Sequence, residues 1–116
     1  MWRWLPLLPL LVGCAGTPSG SSVVNLGCGG EVRLRNLGDV TVEQAYFSAA
    51  GPADWGRDVL APGTLPPGGE QAVAAPPGRN AVRIVFANGR AAGMDAMDVC
   101  ATPVLSIRPG SLLAER

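Results

Sequence analysis

The stretch "NAVRIVFANG", residues 80–89, decides the fold class. Val82, Ile84 and Phe86 fall on one side of an extended chain and Arg83 on the other, the period-two pattern of a half-buried strand. Asn88-Gly89 then carries the strongest short hairpin signal, because a type I′ turn needs positive φ at both central positions. A return strand is therefore expected within Ala92 to Cys100, and the unit is an antiparallel hairpin.

Working outward from it, the same period recurs. "EVRLRN", residues 31–36, alternates strictly, with Val32 and Leu34 on one face and Glu31, Arg33 and Arg35 on the other. In "VTVEQAYFSAA", residues 40–50, Val40 and Val42 are in phase but Ala45 and Phe47 are not. A bulge near Glu43-Gln44 would restore the register. "GEQAVAA" (69–75) reads as a weak strand closed by the turn "PPG", and "PVLSI" (103–107) as the last short strand, stopped by Pro109-Gly110. "SLLAER" (111–116) reads as a frayed tail or a single helical turn. Between Gly51 and Gly69 lies a long Pro/Gly/Ala connection, in which only "DWGRDVL" could hold a turn of helix. Five to six short strands with no amphipathic helix and no internal repeat predict an all-β fold: a small antiparallel sandwich or barrel over residues 28–108, with a C-terminal tail at 109–116.

Composition narrows the chemistry. The chain has 116 residues, 16 Gly, 11 Pro, no His and a formal net charge of zero, and every basic residue is Arg. Without His there is no imidazole general base, no Ser-His or Cys-His pair and no ordinary zinc site. Without Lys there is no Schiff base and no phosphate-loop lysine. The neutral balance argues against a nucleic-acid partner. No catalytic residue, metal or cofactor is expected.

The first residues, "MWRWLPLLPLLVGC", set one positive charge (Arg3) before a short apolar run from Trp4 to Val12, the layout of a secretory signal. The run is far shorter than the roughly 20 apolar residues a spanning helix needs, and it contains Pro6 and Pro9. Leu11-Val12-Gly13-Cys14 closely resembles the lipobox of bacterial lipoproteins. That resemblance implies a signal peptide at 1–13, cleavage between Gly13 and Cys14, and diacylglycerol on the Cys14 thiol with acylation of the new amino terminus. Residues 14–27, rich in Gly, Ser, Thr and Pro, then read as a flexible tether below the folded domain. Two or three acyl chains anchor stably where one does not. The protein is thus expected in the cell envelope, lipid-anchored in the membrane. In the lipoproteins it resembles, an Asp after the cysteine often retains the protein at the inner membrane, so by that resemblance Ala15 implies the outer membrane, facing the periplasm, in a Gram-negative host.

With Cys14 consumed, Cys28 and Cys100 remain, one before the first strand and one at the end of a late strand. In an oxidising compartment they could form a disulfide that clasps the two ends of the domain, worth at most about 4 kcal/mol in the chain-entropy picture. The other reading is a pair of buried thiols acting as small hydrophobes. No Cys-x-x-Cys motif or adjacent cation points to redox chemistry.

The body also resembles a loosely defined group of small, exported, β-rich bacterial proteins, through the order of "AYFS", "DWGRDVL", "LPPG", "VRIVFANG" and "MDVC". That group commonly has a cysteine just before the strand matching "VRIVF". Here Gly78-Arg79-Asn80 stands in its place, so no pairing for Cys100 carries over, and the resemblance brings no catalytic residues.

Trp55 with Asp58 is the most conspicuous feature outside the strands. Trp55 reads as a plug for one end of a small sandwich, with Asp58 capping the following turn. The alternative is a ligand-contact loop that stacks carbohydrate or peptide. Asp54, Asp58, Asp95 and Asp98 lack calcium-loop spacing. Met94 and Met97 read as core fillers, and Arg33, Arg35 and Arg83 as a solvated face. These features lead to a lipid-tethered structural or interaction module of the cell envelope, with an envelope protein or polysaccharide as partner. An accessory subunit of an envelope enzyme, or a weak hydrolase acting on envelope polysaccharide, is the alternative.

Overall fold

The computed structural model describes residues 30–116. The expected signal peptide (1–13), Cys14, the expected tether (14–27) and Cys28 lie outside the described residues. Within them the chain forms seven strands: β1 (Glu31–Asn36), β2 (Val42–Ser48), β3 (Glu70–Ala74), β4 (Arg79–Phe86), β5 (Ala91–Asp98), β6 (Val104–Arg108) and β7 (Ser111–Glu115). They make two sheets, one of four strands in the order β3-β1-β6-β7 and one of three in the order β2-β4-β5. The all-β sandwich expected from the alternating stretches is the observed architecture. No described helix is long and apolar enough to cross a membrane.

The alternation read from sequence gives the inner faces. Val32 and Leu34 of β1, Val82, Ile84 and Phe86 of β4, and Leu105 and Ile107 of β6 are all buried, and they pack in one core with Val42, Ala45, Phe47 and Met97. The out-of-phase residues of β2 reach that core because the register against β4 shifts between Val42 and Gln44, where the bulge was expected. Met97 is buried and Met94 packs partly against the core, both as fillers.

Three expectations are corrected. First, residues 111–116 are neither a frayed tail nor a helical turn: Ser111–Glu115 is a strand, antiparallel to β6 with Leu105 opposite Ala114. Pro109-Gly110 does not stop the chain but reverses it, with Gly110 at φ 76° joining Arg108 to Ser111. Proline preset at the first turn position and glycine at the second suit that reversal. β7 then covers the flank of β6 with Leu112 and Ala114, and the Ser106 hydroxyl donates to the Glu115 carboxylate. The domain therefore runs to Glu115 and has seven strands.

Second, the pairing is not purely antiparallel. β1 and β6 run parallel, Leu34 opposite Leu105, so the long excursion through β2 to β5 acts as the crossover that parallel neighbours require. Third, the β4–β5 turn is not a two-residue type I′ loop on Asn88-Gly89. Gly89 N–H donates to Phe86 O (2.9 Å) and Phe86 N–H to Arg90 O (2.8 Å), while Gly89 has φ 89°. That is the three-residue loop closed by a left-handed glycine. The Asn88 side chain favours it by accepting from Arg90 N–H (3.0 Å).

The long connection after β2 is not inert. Leu60 and Leu65 are buried in the core, and Leu65 bridges Val42 through a reciprocal pair of 2.9 Å bonds. Asn36, fully buried at the end of β1, organises this region. Its amide donates to Val40 O (2.9 Å) and Leu65 O (3.0 Å), and its carbonyl accepts from Gly38 N–H (3.1 Å). Asn36→Ala removes the donor to Val40 O and Leu65 O and the acceptor of Gly38 N–H at a buried position. The expected loss is about 2–4 kcal/mol in urea unfolding, with a near-native circular dichroism spectrum at low urea.

Candidate functional site

Trp55 does not plug an end of the sandwich. It lies half-buried against the outer face of the three-stranded sheet, where it lines a small cleft of about 100 Å³ with Pro52, Ala81, Gly93, Met94 and Asp95. Ala81 and Gly93 alternate with the core residues of their strands, which places them on the outward side, and Ala81 is buried there under the loop. Beside the indole stands Tyr46 of β2, with ring centroids 6.4 Å apart and planes tilted by 56°. That is within the range of a favourable tilted aromatic pair.

The loop carrying Trp55 is fixed at both ends. On its near side Ser48 Oγ donates to Asp54 O (2.6 Å), and Gly51 N–H to Ser48 O (3.3 Å). On its far side one oxygen of Asp58 accepts both Ala45 N–H (3.0 Å) and Leu60 N–H (2.9 Å), while Val59 N–H donates to Ala45 O (2.8 Å). Asp58 thus caps the following turn as expected, and it also seals part of the outer edge of β2. Its carboxylate is occupied by main chain, so the structure separates the two residues of the expected ligand-contact loop: Trp55 is presented on a surface, and Asp58 holds the loop that presents it.

Asp54, Asp95 and Asp98 are exposed. Asp98 receives Cys100 N–H (3.0 Å) and Ala101 N–H (3.2 Å) and so builds the turn after β5. Among the described residues no three His, Cys, Asp or Glu side chains come together as a metal-binding group. Arg33 and Arg35 face outward and both approach Glu70 (3.7 and 3.4 Å), exposed pairs worth little to stability. Arg83 is exposed on the other sheet, next in register to Tyr46.

A second, larger cleft was not anticipated. It has a volume of about 410 Å³ and opens between the β4–β5 turn and the β6–β7 turn, lined by Phe86, Asn88, Arg90, Ala91, Pro109 and Gly110. Each turn had been recognised in the sequence only as punctuation. That two turns far apart in the chain would meet depends on the parallel β1–β6 register, which no local pattern announces.

No family model, curated protein or solved structure matches this chain.

The dual role of Asp58 is directly measurable. Asp58→Ala is expected to lower stability by about 1–2 kcal/mol and to raise amide exchange at Ala45 and Leu60, whereas Asp58→Asn, which keeps an acceptor oxygen, retains most of that protection.

Proposed function

We propose that the protein is a lipid-tethered interaction module of the cell envelope, and that the Trp55 surface is where it meets an envelope protein or polysaccharide. The observation that carries this reading is the placement of Trp55. A large indole is held by a hydrogen-bonded loop on the outer sheet face, next to Tyr46, yet stays partly open to solvent. Aromatic side chains fixed in this way supply stacking area with little entropy left to lose, the usual character of a binding hot spot.

The arrangement of the ends supports a tether. β1 begins at the pole where Ala75 N–H donates to Gly30 O (2.8 Å) and Val99 N–H to Gly78 O (3.0 Å). The turns around Asn88 and Pro109 lie at the opposite pole, next to the ends of β1 and β6. A chain anchored through Cys14 would enter at the first pole and leave the Trp55 face and the second pole unobstructed.

The same register supports a Cys28–Cys100 clasp. β1 and β6 are parallel with Arg33 opposite Val104, and Cys28 precedes Arg33 by nearly the same length of chain as Cys100 precedes Val104. If that register continued back beyond Arg33 and Val104, the two cysteines would come close together across the pair. Alkylation of the denatured, unreduced protein is expected to leave both residues unlabelled, and labelling at both rules the clasp out.

The whole reading is tested by mild crosslinking in native membranes. Wild type is expected to recover a reproducible protein or glycan partner. Trp55→Ala should lose the partner but stay in the membrane, and Cys14→Ala should leave the membrane fraction and take up no fatty-acid label. A Trp55→Ala chain with an unchanged partner set, or a Cys14→Ala chain that remains lipid-labelled, refutes the corresponding half.

A further inference from the structure

We propose that the 410 Å³ cleft at the pole opposite the start of β1 binds a small monocarboxylate bearing a short apolar tail. The site is mixed in the way such a ligand requires. Its apolar lining is Ala91 and Pro109, with the buried core residue Phe86 behind them. Arg90 is the cleft's one charged lining residue, and Asn88 lines it too.

The backbone of Arg90 is fixed from both sides. Its N–H donates to Asn88 Oδ1 (3.0 Å) and its carbonyl accepts from Phe86 N–H (2.8 Å). The guanidinium has no ion-pair partner among the described residues, where the only salt bridges are those of Glu70. With its carbonyl oxygen committed to that bond, Asn88 offers the amide NH2 as its remaining polar group, a donor. The cleft therefore combines donors and one positive charge with the apolar lining of Ala91 and Pro109, and no carboxylate lines it.

An arginine fork matches a carboxylate in two parallel hydrogen bonds. A single cationic charge balances a single anionic one, which favours a monocarboxylate over a doubly charged phosphate. The volume lies in the lower part of the range for small-molecule sites, which limits the apolar part to a short chain or one ring.

The opposite wall is set independently of any ligand. Leu37 N–H donates to Ile107 O (2.8 Å), and Gly38 packs so closely on Pro109 that a Cβ there would stand 2.4 Å from its Cδ. Only glycine allows that contact, and it braces the Pro109-Gly110 turn against the loop that leads into β2. Both rims of the cleft are thus held in place beforehand, which reduces the ordering cost of binding.

The test is a titration of the full-length chain, as recovered from the cell, with hexanoate, followed by calorimetry and by amide shifts, with hexanol, hexylammonium and inorganic phosphate as comparison ligands. Hexanoate is expected to saturate one site and to shift Arg90, Ala91 and Gly110. Arg90→Gln should weaken it by about tenfold or more while leaving the feeble hexanol binding unchanged. Ala91→Leu should fill the cleft and abolish binding, and thermal melts of both variants should match wild type. The inference is overturned if hexanoate shows no saturation by about 10 mM. It is equally overturned by hexanol, hexylammonium or phosphate binding as tightly as hexanoate, or by unchanged affinity in Arg90→Gln. If a variant melts lower, the wild-type ranking of the four ligands and the position of the shifted amides decide alone.

Discussion

A single buried carboxamide ties the chain together where it passes from one sheet to the other. Asn36 closes β1, and its side chain gathers the loop to β2 through Val40 and the far end of the long connection through Leu65. Its own main chain meanwhile bonds to Gly68 and Gly69 ahead of β3. Three segments that leave or approach the strand thus converge on one residue. A polar group with no solvent access is costly unless its hydrogen bonds are made. Here those bonds are made where the chain passes from one sheet to the other, so the buried amide holds that crossing in place and its loss costs stability.

From that junction the treatment of the sheet edges follows. β2 is an edge strand, yet Leu65, Val59 and Asp58 occupy hydrogen-bonding positions along it, so the connection that looked like filler serves as its cover. β3, at the edge of the other sheet, carries Glu70 and Gln71 in exposed positions. Charged and polar side chains discourage another strand from pairing there. The Trp55 loop exists because the same connection must first cross the outside of the sheet before it returns to the edge, and its aromatic residue is displayed as a result.

The strands were legible wherever one face is apolar and the other polar, as in β1 and β4, because burial of one face imposes the period on the residues themselves. β7 was missed for a physical reason: its inward residues Leu112 and Ala114 are only two, and they follow a Pro-Gly pair that can end a strand or reverse it. Whether it does one or the other depends on the uncovered flank of β6, a tertiary fact. Leu60 and Leu65 were missed because isolated apolar residues in a Pro/Gly-rich stretch have no period. For the candidate site, Trp55 was visible as an oddity and Asp58 as a cap, but their separation into a displayed ring and a structural carboxylate required the register of β2. The cleft beside Arg90 was not legible at all, since it is formed by turns whose neighbourhood is set by the parallel pair.

The placement of the reversals has a further consequence. The loops at residues 37–41, 87–90 and 109–110 share one pole, while β1 starts and β7 finishes at the other. Residues 87–90 and 109–110 are exposed and lie outside the core pattern, Pro109 alone being held against Gly38, whereas the 37–41 loop is tied to Asn36 through Gly38 and Val40. The scaffold therefore keeps a frame fixed by alternation apart from a crown of short exposed turns whose side chains the core does not claim.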